Sequence, residues 1–164
     1  MKKTEPSVQI KKSKLNRKTT RRRPAIDMQP LDGLLGFHLR LAMMEVRLSF
    51  LLNVDKGSVH PGLASLLQLV AANPGASQVE LARAMHIDKA SLVALLDKAE
   101  AAGWLKRVRS KEDRRRHELV LKPAGQAKAI ALRKQTVRHE KKYLDRFSAV
   151  ELEQLVSYLR RIYD

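Results

Sequence analysis

The stretch that decides the fold runs from Trp104 to Leu121 and has the sequence WLKRVRSKEDRRRHELVL. Short runs with apolar residues lie at both of its ends, in residues 104–108 and 119–121, as in the two strands of a β-hairpin. Seven basic residues lie within it: Lys106, Arg107, Arg109, Lys111, Arg114, Arg115 and Arg116. A hairpin with a cationic tip is poorly suited to a core and well suited to contact phosphates. The stretch therefore predicts a protein that binds double-stranded DNA.

Composition favours the same class of partner. The chain has 164 residues, enough for one domain with extensions, and carries a formal net charge of +16. Such a charge attracts polyanions. The absence of cysteine excludes disulfides and thiolate metal sites, and it fits the cytoplasmic location that we expect. Because no stretch has the ~20 apolar residues of a membrane span, and the basic N-terminus lacks the apolar core of a secretory signal, we expect no membrane partner.

Residues 1–30 differ in composition from the rest of the chain. Ten lysines and arginines precede Pro24, against the single acid Glu5. Three prolines in the same segment interrupt any helix. We expect a disordered basic arm that adds sequence-independent affinity for DNA, followed by one folded domain over residues 31–164.

Helical periodicity accounts for most of that domain. The segment Leu31–Asn53 is compatible with one helix and is apolar on nearly every side, which predicts burial on more than one side. In a small domain this indicates a subunit interface. We therefore expect a homodimer whose base is formed by residues 31–53 and 124–164. Ser148 and Glu151 form a capping-box pattern that opens the last helix.

The segment before the hairpin carries the start and stop signals of two successive helices. Ser77 and Glu80 form a capping-box pattern. Asp88 is a good N-cap for the next helix, and Gly103 suits its C-terminal end. A short helix, a tight turn, a second helix and a basic hairpin constitute a winged helix-turn-helix, here over residues 61–121. The predicted fold is mainly α, with a two-stranded β wing and a helical dimerisation region.

In helix-turn-helix proteins the second helix enters the major groove mainly through its N-terminal residues. Small residues there allow close approach, while hydroxyl, amide and ammonium donors bind base edges or phosphates. The residues predicted to contact DNA, with those of the wing, are Ser77, Gln78, Asp88, Lys89, Ala90, Ser91, Lys98, Lys111, Asp113, Arg114, Arg115 and Arg116. Because a symmetric dimer requires a symmetric site, we expect a pseudo-palindromic operator.

The segment Ser77–Gly125 resembles the MarR family of bacterial transcriptional regulators, and the flanking long helices extend the resemblance over residues 31–164. The shared features, in order, are Gly103, the wing motif Asp113-Arg114-Arg115, the strand Leu119-Val120-Leu121 and Gly125. The resemblance implies that Arg115 enters the minor groove and that Asp113 orients it. Lys122 departs from the threonine cap usual in the family. Lysine has no acceptor oxygen, so this helix start is slightly weakened.

The resemblance also implies repression that a small ligand relieves by binding where the dimer base meets the DNA lobe. Candidate lining residues are His38, Arg40, Leu41, Met44, Arg47, Leu63, Leu66, Leu67, Val70 and His139. Apolar walls with arginine and histidine suit an aromatic or fatty acid anion, and the basic surface equally suits a CoA thioester. Methionine and leucine at helical spacing are also what a plain core contains, and His38 also fits a helix histidine without a ligand.

An architectural protein that binds DNA without sequence preference is the alternative, because arm and wing supply charge alone. Preference for one sequence over competitor DNA separates the two functions. We expect no enzyme and no cofactor, because the five histidines show no metal-ligand spacing and the chain has no phosphate-binding glycine loop and no nucleophile elbow. A membrane-surface protein is disfavoured, because the basic helix from Ala124 lacks a Trp/Phe face.

Overall fold

The computed structural model describes residues 26–109 and 117–164. The first 25 residues of the predicted arm lie outside the described residues. So do five predicted wing contacts: Lys111, Asp113, Arg114, Arg115 and Arg116. The chain divides into two units, of which the first ends at Leu34 and the second runs from Leu35 to Asp164.

In the described part of the first unit, Gln29–Asp32 form a short helix, α1, which ends at Gly33. This helix starts inside the segment predicted as arm. The single helix predicted from Leu31 to Asn53 is wrong at its start, because the long helix begins at Leu35. Glycine inside a helix costs about 1 kcal/mol relative to alanine, and the interruption falls at Gly33.

The described part of the second unit contains six α-helices, a 3₁₀ turn and a hairpin. The helical elements are α2 Leu35–Asn53, the 3₁₀ turn Asp55–Gly57, α3 Pro61–Ala72, α4 Gln78–Ala84, α5 Lys89–Ala101, α6 Pro123–Leu144 and α7 Ala149–Tyr163. The capping boxes predicted at Ser77 and Ser148 are both present. Gly103 follows α5 with a φ of +71°, a conformation that favours glycine. The helix α6 starts without a side-chain cap from Lys122, as the sequence predicts.

The hairpin consists of β1 Leu105–Arg109 and β2 His117–Leu121, which pair antiparallel with Leu105 opposite Leu121. The side chains of Leu105, Leu119 and Leu121 are buried. The sheet therefore has one face in the core and one outside, which is a common arrangement for an antiparallel sheet. The predicted fold class, mainly α with a two-stranded wing, is confirmed.

The core lies among α3, α5, α6 and the hairpin. Its fully buried large side chains are Leu66, Leu67, Leu92, Leu96, Leu105, Leu119, Leu132, Val54 and Val59. Burying one such side chain stabilises the fold by roughly 1.5–3 kcal/mol, so this cluster fixes α5 and the wing on one scaffold. By contrast, α2 buries only Ser49 and Phe50, and α7 buries none of its residues. Within the described ranges, no helix is long and apolar enough to cross a membrane.

The turn between α2 and α3 is attached to α6. Asp55 and Lys56 adopt positive φ angles of 51° and 53°, which side chains other than glycine rarely adopt. Both carboxylate oxygens of Asp55 accept hydrogen bonds from Lys128 Nζ at 2.7 Å, and the Ser58 hydroxyl also donates to this carboxylate. The Asp55 N–H donates to Gln135 Oε1 at 2.6 Å. These bonds hold the strained turn in place.

Candidate DNA interface and ligand cavity

The N-terminus of α5 is the surface predicted to enter the major groove. The Asp88 carboxylate caps this helix by accepting hydrogen bonds from the Ser91 N–H at 2.8 Å and from the Ser91 hydroxyl at 2.6 Å. The bond from the hydroxyl, followed by that from the N–H, lowers the pKa of Asp88. Lys89 and Ala90 are exposed beside the cap. In this turn Lys89 therefore offers a cationic donor and Ala90 a small surface for close approach.

The start of α4 is held by its capping box. Ser77 Oγ donates to Glu80 Oε2 at 2.6 Å, and the Glu80 N–H donates back to Ser77 Oγ at 3.3 Å. The backbone of Ser77 also pairs with Glu118 of β2. Gln78 is half-buried at the first position of the helix. The capping box thus holds the start of α4, and the backbone pairing of Ser77 with Glu118 places that start against the wing. Gln78 and backbone amides remain for the predicted phosphate contact.

Arg107, one of the seven basic residues of the hairpin stretch, binds α5. Its Nη2 lies 2.6 Å from Asp97 Oδ1, and its Nη1 lies 3.3 Å from Glu100 Oε2. Its backbone N–H donates to Glu100 Oε1 at 2.9 Å. These contacts fix the base of the wing against the recognition helix. Two acids one turn apart on α5, Asp97 and Glu100, indicate such ion pairs in the sequence. The prediction that the hairpin charges contact DNA did not take them into account.

A cavity of about 690 Å³, here called the central cavity, lies between the long helices and α3. Its lining includes Met43, Val46, Arg47 and Phe50 of α2, His60, Ala64 and Gln68 at and in α3, Thr136 and Glu140 of α6, and Leu159, Ile162 and Tyr163 of α7. The cavity thus has mainly apolar walls with a few polar groups, which is the usual character of a small-molecule site.

The residues predicted to line a ligand site are not all brought together. Arg47 lines the central cavity. Leu63, Leu66, Leu67 and Val70 point into the core. Four others lie on α2 outside the lining of the central cavity: His38, Arg40, Leu41 and Met44. Helical spacing alone does not tell which face of α2 meets α3, so these positions could not be separated from Arg47 in the sequence.

The side chains of His60 and Arg47 lie side by side at the wall of the cavity, and each presents a hydrogen-bond donor. His60 is the N-cap of α3, and its Nδ1 accepts a hydrogen bond from the Gly62 N–H at 3.1 Å. Burial, with the charges of Arg47 and then Lys98, lowers the pKa of His60, so the neutral ring carries its proton on Nε2. Arg47 Nη2 lies 3.3 Å from that nitrogen. With this tautomer both nitrogens are hydrogen-bond donors, so the two side chains do not bond to each other and can donate to one shared acceptor.

Two further polar groups lie near the cavity without a partner among the described residues. Thr136 Oγ1, in the lining, and both ring nitrogens of His139 are buried and make no hydrogen bond there. His139 packs edge-on against Phe50, with ring centroids 5.8 Å apart. Burial, followed by the charge of Lys142, lowers the pKa of His139 and favours its neutral form. His139 thus lies behind the Phe50 wall rather than in the lining.

The central cavity also adjoins the turn of the helix-turn-helix. Tyr163, in the lining, packs edge-on against His86, with ring centroids 5.5 Å apart. His86 lies between α4 and α5 and has a positive φ of 49°. Tyr163 therefore links the cavity by direct contact to the turn that orients the recognition helix. No local pattern in the sequence indicates this contact.

Known proteins match this arrangement. The MarR family model matches residues 64–116. A putative transcriptional regulatory protein for the hcr operon of Thauera aromatica is 35% identical over 134 residues, 81% of each chain. The transcriptional repressor CouR bound to a 23-mer DNA duplex is 34% identical with a TM-score of 0.80, over 85% of this chain and 99% of that chain. CouR bound to p-coumaroyl-CoA is 32% identical with a TM-score of 0.75, over 84% and 97%.

Proposed function

Because the chain belongs to the MarR family, we propose that this DNA-binding transcriptional regulator acts as a homodimeric repressor of a pseudo-palindromic operator. A small ligand in the central cavity releases it from DNA. The proposal is carried by one juxtaposition. A capped recognition helix, bound to a two-stranded wing, lies beside an apolar cavity whose wall presents the N–H groups of Arg47 and His60.

Exposed apolar side chains support the dimer. Those of α2 and α7 are Leu35, Leu41, Met43, Met44, Val46, Leu48, Leu52, Val150, Leu155, Val156, Tyr158, Ile162 and Tyr163. Apolar surface of this extent marks an interface rather than a solvated face. A second copy covers it, and the base formed by residues 31–53 and 124–164 then carries two DNA lobes. The symmetry of such a dimer requires an inverted repeat in the DNA.

DNA recognition divides between the recognition helix and the wing. Lys89 and Ala90 meet base edges or phosphates, and Arg115, oriented by Asp113, enters the minor groove. Of the remaining predicted contacts, Ser77, Gln78 and Ser91 bind phosphates at the helix starts, and Lys98, Lys111, Arg114 and Arg116 bind them through charge. Asp88 contributes by capping the recognition helix. Arg115→Ala should weaken operator binding roughly 10- to 100-fold while dimerisation and helix content remain. Binding as tight as that of the wild type would contradict the role given to the wing.

Release of the protein from DNA depends on a ligand that binds Arg47 and His60 together. A carboxylate oxygen of an aromatic acid, or the carbonyl oxygen of its CoA thioester, accepts from both side chains. The apolar walls then cover the aromatic or aliphatic body of the ligand. The structure of CouR with p-coumaroyl-CoA supports an aromatic thioester as one form of this ligand. The ligand shifts the protein from DNA only by binding the released geometry more tightly.

The experiment is operator binding followed by fluorescence anisotropy, with cinnamate, cinnamoyl-CoA and free CoA as ligands. Arg47→Met should raise the concentration needed for release at least tenfold and leave operator affinity within about twofold. Arg40→Met removes the same charge from α2 outside the cavity and should respond like the wild type. Release by the thioester alone assigns the thioester form, whereas equal responses of the wild type and Arg47→Met would contradict the site.

A further inference from the structure

A second concave surface of about 720 Å³ lies on the DNA lobe between the C-terminal half of α3, strand β2 and the first turns of α6. It is called the wing groove below. Among the described residues, Gln68 is the only one that it shares with the central cavity. The central cavity lies along the N-terminal half of α3 and the wing groove along its C-terminal half, so the two can be occupied separately.

The floor of the wing groove is apolar. Val70, Leu119 and Ala129 line it and are themselves almost completely buried, so the floor belongs to the rigid core. At its edge Ile130 is 60% exposed and Val120 is 37% exposed. Covering these side chains removes apolar area from water, which favours an apolar occupant.

One end of the groove is cationic. Arg133 and Lys134, both exposed on α6, belong to its lining, and no carboxylate is found among the described residues of that lining. In the part of the chain that the structure describes, neither residue forms an ion pair. The guanidinium of Arg133 makes one long contact, 3.5 Å from its Nη1 to Gln68 Oε1. Among the described residues, the two positive charges beside the apolar floor thus have no counter-charge.

Charge complementarity decides the kind of occupant. In the proposed dimer the second copy covers α2 and α7, and neither helix contributes to the described lining of this groove. DNA supplies negative charge but no apolar body for the floor. A small molecule with an apolar body and one carboxylate satisfies both parts of the surface, because arginine pairs with a carboxylate through two parallel hydrogen bonds.

We propose that the wing groove is a second ligand site, which binds a small amphipathic carboxylate independently of the central cavity. The occupant lies on Leu119 and Leu121, in the strand that returns from the wing. It therefore contacts the DNA lobe directly and needs no change at the dimer base.

The five isoleucines of the chain allow a direct test. Ile130 lies in the wing groove and Ile162 in the central cavity, so their δ1-methyl NMR signals report on the two sites separately. The probe is 1-naphthaleneacetate, and its neutral control is 1-naphthaleneacetamide. Both are titrated into the full-length protein labelled at isoleucine methyl groups.

We expect the Ile130 signal to shift saturably with the acid and at least tenfold more weakly with the amide. The double variant Arg133→Gln/Lys134→Gln should lower the affinity at Ile130 about tenfold and leave the Ile162 response unchanged. Arg138→Gln, an exposed arginine on α6 outside the lining, is the matched control and should leave both signals unchanged. Equal responses to acid and amide, no response of Ile130, or a shift that follows protein concentration alone would overturn the proposal.

Discussion

Gly125, in the first turn of α6, lies directly against the backbone of Trp104. An alanine Cβ at this position would be 1.9 Å from the Trp104 carbonyl oxygen and 2.7 Å from its carbonyl carbon. The Trp104 backbone is held by two hydrogen bonds of 2.9 Å, because its N–H donates to the Ala99 oxygen and its own oxygen accepts from the Lys122 N–H. We therefore predict that Gly125→Ala destabilises the protein, although alanine is the better helix former.

The magnitude follows from the movement required. An ordinary contact begins at 3.4 Å, so the start of α6 or Trp104 must move by about 1.5 Å. That movement breaks the bond between Lys122 and Trp104, at about 0.5–1.5 kcal/mol, and overpacks the joint, at about 1–3 kcal/mol. The higher helix propensity of alanine offsets about 1 kcal/mol of this loss in the free energy of unfolding. We expect a net loss of about 2 kcal/mol in the free energy of unfolding.

Urea unfolding followed by circular dichroism measures this loss, at one protein concentration because dimerisation adds to stability. Gly36→Ala is the matched control, since a Cβ at this helical glycine meets no atom within 4 Å. Its stability should be unchanged or raised by up to about 1 kcal/mol. A Gly125→Ala protein within 0.5 kcal/mol of the wild type would refute the reasoning.

Three other substitutions test individual contacts. Asp88→Ala removes the cap of the recognition helix and should cost about 1 kcal/mol in thermal unfolding; an unchanged Tm would argue against the cap. His60→Ala should cost a similar amount, whereas His60→Asn keeps a capping acceptor and should be nearly neutral, so equal losses would contradict the N-cap role. Burial opposes ionisation of Asp55, but hydrogen bonds from Lys128 and Ser58 outweigh it and lower the pKa of Asp55. The carboxylate therefore stabilises the fold above about pH 4, and this contribution is lost as the pH falls through the lowered pKa. Asp55→Asn should be less stable by about 1–3 kcal/mol at pH 7, with a smaller difference in acid; a difference that does not narrow as the pH is lowered would contradict the ion pair.

Local signals in the sequence predicted the DNA lobe well. The capping boxes, the N-cap Asp88 and Gly103 each act within one helical turn, so their chemistry is visible without a tertiary structure. The two strands of the hairpin were equally visible, because a short run of apolar residues marks each of them. The resemblance of residues 77–125 added the biological role.

Tertiary placement was less predictable. Arg47 was predicted as a cavity residue and His60 was not, because the two are brought together only when α2 packs on α3. His139 has a residue type that suits a ligand site, yet packing behind Phe50 removes it from the lining. The helix predicted from Leu31 starts too early, because the apolar periodicity continues through Gly33, where the structure interrupts the helix.

The central claim, a dimer that recognises one symmetric sequence, is tested most directly by selecting bound fragments from random DNA at ~150 mM salt, where non-specific charge attraction is weakened. The selected site is then used to measure stoichiometry. The account predicts an inverted repeat bound by two chains, with half-sites about one helical turn apart. Recovery of no preferred sequence, or of a single half-site bound by one chain, would contradict it.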